Sequence, residues 1–143
     1  MNIYFICTGN TCRSPMAEGI LRAREIQEVE VRSAGIQAVQ GMPISNHAKE
    51  LLENAKAPYT ATSNAVTAED VNWADHILTM TTAHKQMMYM MFPHAENKIH
   101  TLKEFVAYTN GGDVQDPYGG NLALYRETFQ ELSLLMEMLE GEL

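Results

Sequence analysis

Four apolar residues, Ile3-Tyr4-Phe5-Ile6, give way at once to a polar turn beginning at Cys7, and the turn runs into Ser14-Pro15. A short apolar run bounded by turn residues reads as a buried strand. Serine followed by proline reads as a helix start, with Ser14 as N-cap and Pro15 at the first helical position, where its missing N–H is harmless. Met16, Ala17, Ile20 and Leu21 then supply the helix with an apolar stripe. A strand feeding a helix through a tight turn restricts the chain to folds that alternate the two.

The alternation continues. Val29 to Arg32 reads as a second strand, ending at Ser33-Ala34-Gly35, and a loop around Gly41-Met42-Pro43 leads to a helix from about Ser45 to Glu53. Thr67-Ala68-Glu69-Asp70 has the acidic first turn of a helix start. His76 to Met80 reads as a third buried strand, Thr82 to Met91 as the helix after it, and Lys98 to Thr101 as a shorter fourth strand. The stretch from Asn110 to Asn121 contains four glycines and one proline and is expected to cross the surface. Leu122, Tyr125, Phe129, Leu132, Met136 and Leu139 follow at helical spacing, with glutamates on the opposite face. Strands alternating with helices imply a parallel sheet covered on both sides. The expected fold is α/β, a three-layer α/β/α sandwich with a four-stranded parallel sheet and flavodoxin-like topology, in one domain over residues 1–143. Ligands of such sheets sit beyond the carboxyl ends of the strands, where strand order reverses.

Composition narrows the function. A formal charge of −8 argues against nucleic acid, which asks for a basic patch. No apolar run approaches the ~20 residues of a membrane span, and the opening residues lack the basic start of a signal peptide; a cytoplasmic location is expected. Two cysteines, Cys7 and Cys12, suit catalysis or redox sensing in a reducing compartment better than a disulfide scaffold. The five histidines show no ligand spacing beside them, so no metal is expected.

The turn itself carries the chemistry. In Cys7-Thr8-Gly9-Asn10-Thr11-Cys12-Arg13-Ser14 a cysteine and an arginine are separated by a loop long enough to wrap one phosphate with its backbone N–H groups. The helix behind adds the positive end of its dipole. That field is expected to lower the Cys7 thiol and hold it as a thiolate, while Arg13 offers a planar fork for two phosphate oxygens. Ser14 can cap the helix or donate to the sulfur. Gly9 allows close backbone approach, and Asn10 tolerates a left-handed turn position. A nucleotide-binding loop of the Walker type is excluded, because no second glycine is followed by lysine and Ser/Thr. The bland alternative is a structural thiol at Cys7 and a surface arginine at Arg13.

With these residues, with Ser33-Ala34-Gly35 and with Asp116-Pro117-Tyr118 near the C-terminus, the whole chain resembles the low-molecular-weight protein-tyrosine-phosphatase family. The resemblance implies that Cys7 attacks phosphorus, Arg13 stabilises the equatorial oxygens, and Asp116 protonates the leaving group and then activates water. Asp113 is the competing carboxylate. Asn10 and Ser33 would help hold the loop in shape. Many members have a histidine in that network; counting back from Thr67, the position is Ala61, so the loop is expected to be braced in another way.

Thr11 bears on the substrate. Most tyrosine-directed members carry a bulky aliphatic residue, often isoleucine, at this position, and a branch directed at phosphoarginine carries threonine. The chain also resembles that branch in Thr81, in Thr101-Leu102-Lys103-Glu104 and in Gly112-Asp113-Val114. The Thr11 hydroxyl can accept a guanidinium N–H that an isoleucine would leave unpaired, at about 1–3 kcal/mol. Tyr118 offers a flat wall for stacking, suited equally to a guanidinium and a phenyl ring. The expected activity is hydrolysis of phosphoarginine in proteins through a phospho-cysteine, with no cofactor. Phosphotyrosine is the alternative, and arsenate reduction or a non-catalytic phosphoprotein-binding module stand behind it. Phosphorylated proteins are the expected partners, and a monomer the expected state. Cys12 could join Cys7 reversibly under oxidation, or simply pack beneath the loop. Met87, Met88, Met90 and Met91 read as core filling or as a partner surface.

Overall fold

The structure, a computed structural model, describes residues 1–108 and 112–143. Of the predicted loop from Asn110 to Asn121, Asn110 and Gly111 lie outside the described residues. Four strands form one parallel sheet: β1 (Asn2–Cys7), β2 (Glu30–Gly35), β3 (His76–Thr79) and β4 (Ile99–Thr101), in the order β2-β1-β3-β4. Strand order reverses between β1 and β3, so the carboxyl end of β1 lies at the switch point, as the sequence implied.

The helices are α1 (Arg13–Ala23), α2 (Asn46–Asn54), α3 (Ala68–Trp73), α4 (Thr82–Met91), α5 (Leu102–Phe105) and α6 (Leu122–Glu142), with a 3₁₀ turn over Pro93–Lys98. Alternation along β1 divides the core into two layers. Ile3 and Phe5 pack with Met16, Ala17 and Leu21 of α1, Leu52 of α2, and Leu132, Leu135, Met136 and Leu139 of α6. Tyr4 and Ile6 face the other way, onto Val71 of α3, Met88 of α4, and Ile77 and Ile99 of the neighbouring strands. These side chains are almost fully buried, and each Val, Leu, Ile, Phe and Met among them contributes roughly 1.5–3 kcal/mol. The three-layer parallel architecture is therefore the one expected.

Differences lie at element ends. β2 runs through Gly35, because Ser33, Ala34 and Gly35 are buried and pair with Phe5, Ile6 and Cys7. Helix α2 begins after Ser45, whose side chain caps it. Helix α1 starts two residues earlier than expected: Cys12 is its N-cap and makes no side-chain capping hydrogen bond. Ser14 is thus not a cap. In the methionine run, Met88 is in the core while Met90 is 83% exposed, so core filling accounts for only part of it.

Candidate active site

β1 delivers Cys7 to the switch point, and the chain turns through Thr8–Cys12 into α1. Asn10 takes a left-handed backbone, φ 55°, which asparagine tolerates better than most residues. The end of β2 lies against this turn. A Cβ added to Gly35 would stand 2.5 Å from the Thr8 carbonyl oxygen and 2.8 Å from the Asn10 nitrogen, so the backbones approach this closely only at a glycine.

The Asn10 side chain braces the turn from within. Its Oδ1 accepts the Asn64 N–H at 2.7 Å, which orients the amide so that Nδ2 donates to Ser14 Oγ at 2.8 Å and Ser33 Oγ at 2.9 Å. Ser33 donates onward to Glu18 Oε1 at 2.6 Å. Ser14 accepts from Asn10, and its own proton is left for Cys7 Sγ, 2.8 Å away. The Asn10 backbone N–H adds a second donor to the sulfur at 3.3 Å. Glu18, 4% exposed, also accepts from the Thr60 hydroxyl at 2.7 Å and from Arg22 at 3.2 Å. Ala61 is exposed, and its neighbour Thr60 reaches this network through Glu18.

Cys7 is 3% exposed. Burial pushes its thiol up, against the downward pull of the Ser14 hydrogen bonds, Arg13 and the Asn10 N–H. The donors expected around the sulfur are present, but the same loop that supplies them shuts out the water that would solvate a thiolate.

Arg13, 5% exposed, points from α1 to the loop that follows α5. Its Nη1 donates to the Val114 carbonyl at 3.2 Å, and Nη2 lies 3.4 Å from Asp116 Oδ2. The loop is anchored to the sheet: Val114 N–H donates to the Met80 carbonyl at 2.8 Å, and buried Lys103 donates to the Asp113 carbonyl at 2.9 Å. The two carboxylates separate clearly. Asp113 Oδ1 accepts the Thr82 N–H at 2.8 Å and ties the loop to the start of α4, whereas Asp116 faces the arginine with half its side chain open to solvent. Asp116 Oδ1 also accepts the Tyr118 N–H at 3.0 Å, in a turn that fixes the carboxylate.

A cavity of about 460 Å³ is lined by Cys7, Thr8, Gly9, Thr11, Cys12 and Arg13, by Asp116 and Tyr118, and by Val39, Met42 and Pro43 from the segment after β2. Thiol, cation and carboxylate thus converge on one concavity with apolar walls, an arrangement able to transfer a phosphoryl group to sulfur. Among the described residues, no group of three or more His, Cys, Asp or Glu side chains is placed to hold a metal ion.

A family model described as low molecular weight phosphotyrosine protein phosphatase matches residues 2–143. The chain belongs to this phosphatase family. It is 43% identical over 141 residues to a protein-arginine-phosphatase of Geobacillus stearothermophilus, covering 99% of this chain and 95% of that protein. It is 41% identical over 140 residues to the low molecular weight protein-tyrosine-phosphatase PtpB of Staphylococcus aureus, covering 96% of each. The solved structure of the YwlE arginine phosphatase from Geobacillus stearothermophilus superposes with a TM-score of 0.94 at 42% identity, covering 99% of this chain and 91% of that one.

The three stretches that carried the family resemblance therefore meet at one place. Thr11 is half-buried on the cavity wall, and Tyr118 is 76% exposed at its edge. Cys12 and Cys7 are both free thiols, and Cys12 Sγ lies 3.1 Å from the hydroxyl of buried Tyr125 on α6. Residue-level reading missed Glu18, Thr60 and Lys103. A buried role for Lys103 had one signal, the Thr101–Glu104 capping box around it that fixes α5. Glu18 and Thr60 had none.

Proposed function

We propose that the protein removes the phosphoryl group from phosphoarginine in protein substrates through a phospho-cysteine on Cys7, with residues 1–143 acting as one unit. Cys7 attacks phosphorus as the thiolate, held by the Ser14 hydroxyl and the Asn10 N–H, and the P–N bond breaks. Arg13 and the loop N–H groups hold the oxygens, and Asp116 gives its proton to the departing guanidine nitrogen. Asp116 then takes a proton from water as that water attacks phosphorus, releasing phosphate and the Cys7 sulfur. The P–S bond made in the first step is broken in the second, and the proton on Asp116 is restored.

The observation that carries the arginine reading is Thr11, a hydroxyl-bearing residue, on the wall of the cavity that holds Cys7, Arg13 and Asp116. It supplies an acceptor for a planar group rich in N–H donors, and Asp116 supplies a second. The Geobacillus relative's name agrees. Phosphotyrosine remains the second reading: Tyr118 and the apolar Val39–Pro43 wall suit a phenyl ring as well, and the Staphylococcus relative is named for tyrosine. No helix among the described residues is long and apolar enough to cross a membrane; two free thiols support action in the reducing cytoplasm, and we take the working form to be a monomer.

The test is kcat/KM on matched phosphoarginine and phosphotyrosine peptides, for the natural protein and for Thr11→Ile. The natural protein prefers phosphoarginine, and the substitution shifts preference to phosphotyrosine by about ten-fold or more. Preference for phosphotyrosine by the natural protein overturns the arginine reading.

A further inference from the structure

One buried titratable side chain beside the cavity has no part in the chemistry above. His84, in the first turn of α4, is 6% exposed, and its Nε2 lies 2.8 Å from the Thr8 hydroxyl oxygen. Among the described residues its Nδ1 is buried and meets no hydrogen-bond partner. The charged groups that act on the ring are Arg13 of α1 and Asp113 and Asp116 of the loop after α5. Burial first and Arg13 second push the imidazole down to about 4, while the two carboxylates oppose them. At neutral pH the ring carries one proton.

The position of that proton follows from the contacts. On Nδ1 it would be a buried donor with no acceptor, a rarer and costlier defect than an acceptor left bare. On Nε2 it has an acceptor, the Thr8 oxygen. Once Thr8 accepts from His84, its own hydroxyl proton is free to donate elsewhere. Thr8 is the residue after the nucleophile, is exposed, and lines the cavity with Cys7 and Arg13.

We propose that His84 is a positioning residue of the phosphate-binding loop: protonated at Nε2, it holds the Thr8 side chain so that the Thr8 hydroxyl donates to an oxygen of the bound phosphoryl group. The site thereby gains a side-chain donor beyond its backbone N–H groups and Arg13. The inference rests on the loop binding a phosphoryl oxyanion, and it is independent of whether the substrate is phosphoarginine or phosphotyrosine.

Inorganic phosphate, the product, is the probe, and its inhibition constant is measured alongside kcat/KM on a generic aryl phosphate. Thr8→Val and His84→Phe each weaken phosphate binding about ten-fold, the effect of losing one hydrogen bond to a charged group. The double variant is no weaker than either single one. His84→Gln, whose amide N–H can stand where Nε2 stood, recovers most of the loss. Nitrogen NMR of labelled histidine in the natural protein finds the proton on Nε2, a readout that does not depend on how well any variant folds. Additive losses in the double variant, a proton on Nδ1, or a His84→Phe protein with lower stability but unchanged phosphate inhibition each overturn the proposal. A natural protein that neither binds phosphate nor hydrolyses the ester defeats the phosphatase reading itself, and this inference with it.

Discussion

Arg13 Nη2 stands 3.4 Å from Asp116 Oδ2, the guanidinium buried and the carboxylate half-exposed. The pair joins the start of α1 to the loop ahead of α6 across the mouth of the cavity. The cation is fixed by the fold, and the carboxylate stands at the mouth, open to solvent.

That difference predicts how Asp116→Asn behaves. Asparagine keeps the shape and loses the proton, so turnover of a phosphoamidate or alkyl phosphate falls by about 10²–10⁴-fold. An ester with a very good leaving group needs less protonation and loses less. Steady-state kinetics on a leaving-group series checks this; equal losses across the series would assign Asp116 to binding.

Ser14 hydrogen-bonds to Cys7 and pulls its thiol down against the upward push of burial. Ser14→Ala removes the hydroxyl and leaves the burial. The pH profile of inactivation by iodoacetate, which reports thiolate, moves to higher pH. A profile that stays in place would mean the hydroxyl does not act on the sulfur.

At Gly35, an added methyl meets the backbone of the phosphate loop at Thr8 and Asn10 and the Ala38 side chain as well. Backbone cannot step aside as a flexible side chain can. Gly35→Ala is expected to lower stability by about 1–3 kcal/mol in urea unfolding and to weaken inhibition by phosphate, because the loop must shift to admit the methyl.

His84 makes stability depend on pH. Its imidazole is pushed down to about 4 in the fold, so between there and the ordinary value near 6.5 the unfolded chain binds a proton that the native state refuses. The penalty fades out as pH rises past 6.5 and grows as pH falls, reaching roughly 2 kcal/mol at pH 5. Urea unfolding at pH 7.5 and 5 shows a smaller loss for His84→Gln than for the natural protein.

Much of this was legible in the sequence where local rules agreed with one another. Ile3–Ile6, the turn and the helix after it could be read because strand pattern, loop length and helix start all pointed to one arrangement. Ser33-Ala34-Gly35 read as a strand end because small residues resemble a turn; only the pairing with β1 makes them strand. Ser14 fits the pattern of a cap, and the structure turns its hydroxyl to Cys7 instead. Glu18 could not be found: a glutamate on a helix ordinarily faces water, and its partners Ser33 and Thr60 come from β2 and the segment before α3. Asp113 and Asp116 lie in one loop and differ only in what the fold brings to each, Thr82 to one and Arg13 to the other.

The chain of donors from Asn10 through Ser33 to Glu18 supports the loop from behind, while Thr11, Val39, Met42 and Tyr118 line the cavity it opens into. Frame and mouth are thus separable under mutation. On the proposed reaction, a lineage could exchange the residues at the mouth without disturbing the frame that holds Cys7, so changes of specificity could accumulate one substitution at a time on a reaction that never stops working.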